Sequence, residues 1–126
     1  MANVKFNYLY RDGSNFKRWS NIVFSNPNDL PLEMVEKALE NAFSKDGLFI
    51  AHQVRVPEVF LYSDGDANAD DHCYHEIYEV TRSSEIPTES HGRSIDQFIS
   101  EVQRAAIRGW LVFDPFERWL GRFSPL

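Results

Sequence analysis

The chain has 126 residues, enough for one domain of ordinary size, and its 43% hydrophobic and 14% aromatic content excludes a disordered chain. A single cysteine, Cys73, excludes an internal disulfide and a four-cysteine zinc site, which fits a reducing cytoplasm. The net charge of −6 arises in one acidic stretch, residues 64–89, where eight acidic side chains accompany one basic side chain; this argues against nucleic acid as a partner.

The apolar residues are spread along the chain. No segment approaches the roughly 20 consecutive apolar residues of a membrane span, and the first residues do not resemble a signal peptide. The chain also has no internal repeat and no Pro- or Gly-rich linker. We therefore expect residues 1–126 to form one cytoplasmic domain that does not bind membranes.

The N-terminal residues predict a β-hairpin. Val4–Arg11 places apolar side chains at alternate positions, and Arg18–Ser25 forms a second strand-like segment. The residues between them, 12–15, have the Asp-Gly-Ser-Asn composition of a turn.

A helix and a third strand follow. Pro31 stands where the first helical turn begins, and apolar residues then recur at helical spacing. These residues are Leu32, Val35, Leu39 and Phe43. After Asp46-Gly47, the segment Leu48–Val56 is typical of a strand that ends before Pro57.

The second half of the chain repeats the pattern of strand and then helix. Val59–Tyr62 is a short apolar piece before the acidic loop, and Cys73–Arg82 is typical of a fourth strand. Ser94 and Gln97 have the spacing of a capping box, which predicts a second helix ending at Gly109.

The C-terminal residues predict two further elements. Trp110–Phe113 is consistent with a fifth, fully buried strand. Asp114, Pro115 and Glu117 then form an N-terminal cap signature for a short helix that ends at Gly121. The order β-β-α-β-β-α predicts an α+β fold, with an antiparallel sheet of four to five strands and two main helices packed on one face.

Oxygen-bearing side chains alternate at the start of the acidic stretch. Asp64, Asp66 and Asn68 match the first three ligand positions of a calcium loop. The match then fails, because Ala69 stands where that loop needs glycine and His75 where it needs a bidentate glutamate. A looser calcium or zinc site and a solvated loop both stay open. The candidate metal ligands are Asp64, Asp66, Asn68, Asp70 and His72.

Two histidines and the cysteine come next. Imidazoles suit zinc, but strand alternation predicts that His72 and His75 point to opposite faces and do not share an ion. Cys73 and His75 share a face, which is one arrangement of a nucleophile, although a small buried cysteine is the simpler interpretation. The chain has no G-x-S-x-G, P-loop or G-x-G-x-x-G motif, which favours a non-enzymatic function.

Basic and aromatic residues interleave in the hairpin. The basic residues are Lys5, Arg11, Lys17 and Arg18, and the aromatic residues are Tyr8, Tyr10, Phe16 and Trp19. This mixture suits single-stranded nucleic acid, but the local net charge is small. The favoured interpretation is an amphipathic hairpin with one aromatic face in the core.

One part of the chain resembles a known family. Residues 10–39 are similar to a family of small, functionally uncharacterised bacterial proteins that carry the motifs Y-R-D-x-x-N-(F/Y)-K and V-(I/V)-F-S-N-P. A later D-H-x-x-H-E motif in that family resembles Asp71, His72, His75 and Glu76. The resemblance implies a bacterial or phage cytosolic setting and no particular activity. It draws attention to the polar residues around the hairpin turn.

The sequence as a whole favours a small acidic interaction protein, such as an inhibitor or immunity-type binder that covers a basic protein surface, or a homodimer. The residues expected to bind a partner are Asp70, Asp71, Glu76 and Glu79 of the acidic stretch, Arg11, Asp12, Asn15 and Lys17 of the hairpin, and Trp119. The alternative is a divalent-cation-binding protein or small metal-dependent hydrolase that uses the acidic loop and the nearby histidines.

Overall fold

The computed structural model describes residues 2–62 and 67–119. Four strands form one antiparallel sheet in the order β2-β1-β4-β3. The strands are β1 at Asn3–Arg11, β2 at Lys17–Phe24, β3 at Leu48–Phe49 and β4 at His75–Ser83. The helices are α1 at Leu32–Ala42, α2 at Ile95–Arg108 and the short α3 at Pro115–Trp119. The predicted α+β fold is confirmed.

The sheet has an inner face that meets the helices and an outer face that does not. On β1 the inner face carries Val4, Phe6, Tyr8 and Tyr10, which are all buried as their alternation predicts. The apolar sides of α1 and α2 complete this core, and the Phe24 and Phe98 rings stack with their centroids 4.5 Å apart. The outer face carries Lys5, Asn7, Leu9 and Arg11 on the same strand.

The ends of α2 and the start of α3 follow the predicted capping signals, whereas α1 begins without a side-chain cap and ends at Ala42, before Asp46-Gly47. Ser94 and Gln97 form the capping box of α2, and Gly109 ends that helix with a φ of 100°. Asp114 Oδ1 accepts a hydrogen bond from the Phe116 N–H at 2.9 Å at the start of α3. The predicted end of α3 at Gly121 lies outside the described residues. Within the described part of the chain, no helix has the length and apolar character needed to span a bilayer.

The predicted third strand is much shorter than expected, and the predicted fifth strand does not form. Only Leu48–Phe49 of the predicted third strand pairs with β4, and Ala51–Val54 forms a 3₁₀ turn; Trp110–Phe113 has no regular structure. The buried side chain of Gln53 connects the two segments. Its Nε2 donates to the Gly109 carbonyl at 3.2 Å, and its Oε1 accepts from the Leu111 N–H at 2.7 Å.

A buried ion pair fixes the segment between β4 and α2. Arg93 donates to the Val54 and Arg55 carbonyls at 2.7 and 3.1 Å and to Glu89 Oε1 at 2.9 Å, while its guanidinium lies 5.2 Å from the Phe98 ring centroid. Burial disfavours the Glu89 carboxylate, but the hydrogen bonds from Arg93 prevail and lower the Glu89 pKa to about 2. The pair thereby satisfies carbonyls that a regular strand would have paired.

Candidate interaction surface

The β1–β2 turn is built by two of the residues predicted to bind a partner. Asp12 Oδ1 accepts hydrogen bonds from the Ser14 and Phe16 N–H groups, each at 2.9 Å. Asn15 has a φ of 69°, in the left-handed region that asparagine tolerates better than most residues. The turn therefore accounts for both residue types.

The start of the acidic stretch packs against this turn. Ser14 Oγ donates to Asp70 Oδ2 at 2.6 Å, and the Gly13 N–H donates to the Asp70 carbonyl at 2.8 Å. From the inner face, the Tyr10 hydroxyl donates to Asp71 Oδ1 at 2.7 Å. Burial and the hydrogen bond to Asp71 both raise the Tyr10 pKa. Both aspartates therefore have partners within the chain.

Arg11 connects the turn to β4. Its Nε donates to Glu76 Oε1 at 2.8 Å, and its Nη1 donates to Asn15 Oδ1 at 2.5 Å. Most of the predicted partner-binding residues thus meet at the hairpin end of the sheet. They are Arg11, Asp12, Asn15, Asp70, Asp71 and Glu76, with the exposed Lys17 next to them at the start of β2.

The other two predicted residues lie elsewhere. Glu79 lies further along β4, opposite Asn7, and is exposed on the outer face. Trp119 is the last residue of α3, and its side chain lies outside the described part of the structure. The structure does not bring these two residues to the hairpin end.

Three of the six acids that the structure describes in the acidic stretch form ion pairs within the chain. Besides the three acids at the hairpin end, Glu85 forms an ion pair with Lys5 and Glu89 forms one with Arg93. Among the acids of this stretch that the structure describes, only the Glu79 carboxylate has no hydrogen bond or ion pair within the chain. The structure therefore neutralises part of the acidic stretch, while Asp70, Asp71 and Glu79 have no ion pair among the described residues.

The outer face carries an exposed aromatic pair. The Trp19 and Tyr78 rings meet edge to face with their centroids 4.8 Å apart, although the side chains are 52% and 59% exposed. Leu9 lies between them on β1 and is only 1% exposed, because the two rings close over it. Phe16, also exposed, lies at the tip of the same hairpin. None of these three aromatic residues was among the predicted partner-binding residues.

A β-bulge aims Tyr78 outward. Asn7 pairs with Glu79 and Tyr8 pairs with Ile77, so Tyr78 is an extra residue of β4 without a partner on β1. The bulge leaves Tyr78 and Glu79 side by side on the outer face. Alternation in the sequence places Tyr78 on the same face as Glu76. This alternation was the one signal in the sequence that could have indicated an outward-facing tyrosine.

The two histidines have different environments from those predicted. His72 lies before β4, and its ring and the His75 ring both pack against the Tyr10 ring, at 5.0 and 5.7 Å between centroids. The prediction that they point to opposite faces of one strand is therefore wrong. His72 Nδ1 accepts from the Tyr74 N–H at 3.0 Å, so its Nε2 carries the proton donated to the Arg11 carbonyl at 2.6 Å.

His75 and Cys73 are buried, at 1% and 2% exposure. His75 Nε2 accepts from the Val59 N–H at 2.9 Å, while Nδ1 has no hydrogen-bond partner within the described chain. Burial lowers the His75 pKa to about 3, and the positive charge of Arg118 acts in the same direction. Burial also raises the pKa of the Cys73 thiol, so neither group is ionised near neutral pH.

The predicted metal ligands do not form a cluster in the described residues. No group of three His, Cys, Asp or Glu side chains in residues 2–62 and 67–119 is arranged to hold a metal ion. Asn68 Oδ1 accepts from the Asp70 N–H at 2.8 Å, and the His72 ring nitrogens are both bonded to backbone groups. Asp64 and Asp66 lie outside the described residues.

The basic and aromatic residues of the hairpin are separated by the two faces of the sheet. Tyr8 and Tyr10 are buried on the inner face, while Trp19 and Phe16 are exposed. Arg18 turns to the inner face and donates to the Phe60 carbonyl at 3.2 Å. The predicted amphipathic hairpin is therefore present, without a continuous row of exposed aromatic platforms.

Comparisons with protein-family models, curated proteins and solved structures found no match to this chain. The resemblance to uncharacterised bacterial proteins therefore stays a prediction. The structure does give its motif residues a shared role, since Tyr10 and Arg11 contact Asp71, His72 and Glu76. The functional argument depends on this geometry and on the exposed outer face.

Proposed function

We propose that the chain is a small, non-enzymatic interaction protein that holds a basic protein partner on the outer face of its sheet. The observation that carries the proposal is the exposed Trp19–Tyr78 pair, which lies beside Glu76 and Glu79 on β4. The two rings are still 52% and 59% exposed although they pack over Leu9. Aromatic residues in such positions are typical of protein interfaces.

The side chains around the pair favour a basic partner. An arginine of the partner can stack on the ring faces and pair with a carboxylate next to them. Glu79 is available for that role, because its carboxylate is exposed and has no ion pair within the described residues. Asp70 adds a second exposed carboxylate at the hairpin end, bonded only to neutral donors among the described groups.

The buried polar groups support a non-enzymatic role. Cys73 and His75 are the residues whose types suit nucleophilic catalysis, but both are closed off from solvent. A neutral thiol beside a neutral imidazole also lacks the thiolate that attacks a substrate. The groups exposed on the outer face are aromatic rings and carboxylates, which suit the binding of a protein partner.

A tagged form of the chain tests the proposal. Trp19→Ala removes the aromatic contact, and Glu79→Lys reverses the free charge. Ile107→Ser is the control, because Ile107 is a hydrophobic residue on α2 that is even more exposed than Trp19. We expect the wild type and the control to capture the same basic partner from cells of the source organism, and both outer-face variants to lose it. With that partner purified, Trp19→Ala should weaken binding at least about tenfold.

Circular dichroism must show that both variants are folded. Capture of the same partners, in the same yield, by folded Trp19→Ala and Glu79→Lys would contradict the proposal. Melting with calcium, zinc and EDTA separates it from the cation-binding alternative, since an ion that binds the native state raises the melting temperature by more than about a degree.

A further inference from the structure

Strand β3 covers only the beginning of β4. Leu48–Phe49 pairs with the first two residues of β4 and with no later one. Asp46 and Gly47, which precede β3, have φ values of 64° and 74°, and this left-handed backbone turns the chain out of the sheet. From Tyr78 onward, no strand of the described residues pairs with the side of β4 that faces away from β1. This edge of the sheet is therefore open along most of β4.

The alternation of hydrogen bonds identifies the open backbone groups of β4. The Asp12 N–H donates to the Phe16 carbonyl at 3.0 Å, so even-numbered residues of β1 bond to β2 and odd-numbered residues bond to β4. Beyond the bulge, these odd-numbered residues pair with odd-numbered residues of β4. Val80 and Arg82 therefore direct their N–H and carbonyl groups away from β1. Among the described residues, none forms a hydrogen bond with these four groups.

Helix α1 lies beside this open edge and forms a groove with it. The groove has a volume of about 470 Å³; Glu40 and Phe43 line it from α1 and its C-terminal end, and Ile77 and Tyr78 line it from β4. The turn before β3 also lines the groove, and a Cβ atom on Gly47 would lie only 2.6 Å from Ile77 Cγ2. An added strand would thus find free backbone groups and a place for one of its side chains.

The side of α1 that faces the groove is acidic. Glu33, Glu36 and Glu40 recur at spacings of three and four residues, so they lie on one side of the helix. The side that faces α2 carries alanine and asparagine instead. Asp46 in the turn and Glu79 on β4 add two more carboxylates. Among the described residues, none of these five carboxylates has an ion pair.

Charge complementarity favours a basic occupant for this edge. The bases on the same elements are Lys37 on α1, Lys45 in the turn and Arg82 on β4, so five carboxylates and three cations leave a net charge of −2. A second copy that paired through the same edge would bring these acids against each other, which is repulsive. The opposite edge of the sheet, on β2, differs in sign because it carries Lys17 and Arg18 and no acid.

We propose that an extended, arginine-bearing segment of the basic partner adds to β4 as a further strand of the sheet. Its backbone bonds the open N–H and carbonyl groups of Val80 and Arg82, as strand addition requires. One arginine enters the groove, where its aliphatic part packs against Tyr78 and its guanidinium pairs with Glu40 or Asp46. This inference rests on the proposed function for the basic character of the partner, and it names the element through which that partner binds.

Hydrogen exchange of the backbone amides tests whether the edge is open. In the free chain, we expect the N–H groups of Val80 and Arg82 to exchange at least about tenfold faster than those of Glu79 and Thr81, which bond to β1. Equal protection of all four N–H groups would mean that the edge is covered and would overturn the proposal. Protection of Val80 and Arg82 that grows with chain concentration would assign the edge to a second copy, which also overturns it.

Two capped peptides test the charge of the occupant. The probe is Thr-Val-Thr-Val-Arg-Val-Arg-Thr, whose arginines reach the groove when it runs antiparallel to β4, as β3 does. The comparison peptide has glutamate in place of both arginines. In NMR titrations of the full chain, the probe should shift the amide signals of residues 77–82, and the comparison peptide should bind at least about tenfold more weakly. Equal binding of the two peptides, shifts confined to β2, or no shift at about 5 mM probe would each contradict the proposal.

Removal of the groove carboxylates tests the arginine site. Glu40→Gln combined with Asp46→Asn should weaken binding of the arginine peptide at least about fivefold. Asp29→Asn is the matched control, because Asp29 is also exposed and also has a left-handed φ, of 48°; this variant should bind as the wild type does. Unchanged affinity in the double variant would remove the arginine from the groove and overturn the proposal.

Trp19→Ala separates this inference from the proposed function. Trp19 lies on β2, at the far side of the sheet from the open edge of β4, so the variant should bind the arginine peptide as the wild type does even if it no longer captures the partner. Peptide binding together with unchanged capture by Trp19→Ala would contradict the proposed function alone. Loss of capture by Trp19→Ala in a chain that never binds the peptide would overturn strand addition alone.

Discussion

The two faces of the sheet use aromatic residues in opposite ways. On the inner face, Phe6 has ring contacts with Tyr8, Phe43, Phe49 and Phe98, and none of these side chains is exposed by more than a few per cent. On the outer face, the Trp19 and Tyr78 rings meet edge to face and are still 52% and 59% exposed. The inner rings are explained by the core they fill. Packing of the core does not explain the exposed outer rings, so we expect the binding surface on the outer face.

Truncation of an inner ring should have the largest effect. Phe6→Ala removes a fully buried ring at the centre of the aromatic core and leaves a cavity. We expect the free energy of unfolding to fall by about 3–5 kcal/mol, as measured by urea denaturation. A loss of less than about 1 kcal/mol would mean that the inner face is not the stabilising one.

Acid should destabilise the protein through His75, also on the inner side. Burial holds the folded pKa at about 3, against 6.5 for a free histidine. As pH falls below about 6.5, the unfolded imidazole binds a proton that the folded one does not, so stability declines by up to about 1.4 kcal/mol per pH unit until about pH 3. The contribution of the neutral His75 imidazole to stability is therefore fully present above about pH 6.5.

His75→Gln tests this pH dependence. The glutamine oxygen preserves an acceptor for the Val59 N–H and does not titrate, so the slope of stability against pH should flatten between those limits. His91→Gln, at an exposed loop position, serves as the control and should retain the wild-type slope. An unchanged slope in His75→Gln would assign the acid sensitivity to other groups.

The smallest effect on stability should come from the outer pair. Trp19→Ala removes one edge-to-face contact and exposes Leu9, so we expect a loss of about 1 kcal/mol in urea denaturation. The same variant is expected to lose its partner. A loss as large as that of Phe6→Ala would make Trp19 a structural residue and would remove the contrast between the faces.

Local patterns predicted most of the elements. Alternation identified β1, strand-like composition identified β2 and β4, helical spacing identified α1, and the Ser94–Gln97 capping box fixed the start of α2. Each signal is contained within a few residues, because it reflects one strand face or one helix turn. The Asp114 N-cap, which predicted the start of α3, is also a signal contained within a few residues.

The shortened third strand and the absent fifth strand have a non-local reason. Gln53 bonds backbone groups of Gly109 and Leu111, and Arg93 bonds the carbonyls of Val54 and Arg55. Side chains more than 35 residues away thus satisfy the backbone of both segments, and no window of sequence contains both partners. The apolar composition of these segments suggested strands. A buried segment without regular structure is equally apolar, so composition does not separate the two cases.

The candidate surface was predictable only in part. The hairpin polar residues and the acidic stretch were singled out from the sequence, and the structure brings most of them together at the hairpin end. The sequence does not indicate that most of those acids have internal partners, since Lys5, Arg11, Ser14 and Arg93 are remote from them along the chain. It also gives no sign of the bulge, which depends on how β4 meets β1.

The bulge in β4 also determines where this strand tolerates a change in length. Deleting a residue elsewhere in β4 would turn one half of the strand over and expose its buried side chains. Deleting Tyr78 would instead restore regular pairing with β1 while His75 and Val80 keep facing inward. The protein thus carries its exposed tyrosine on an insertion that the fold does not require.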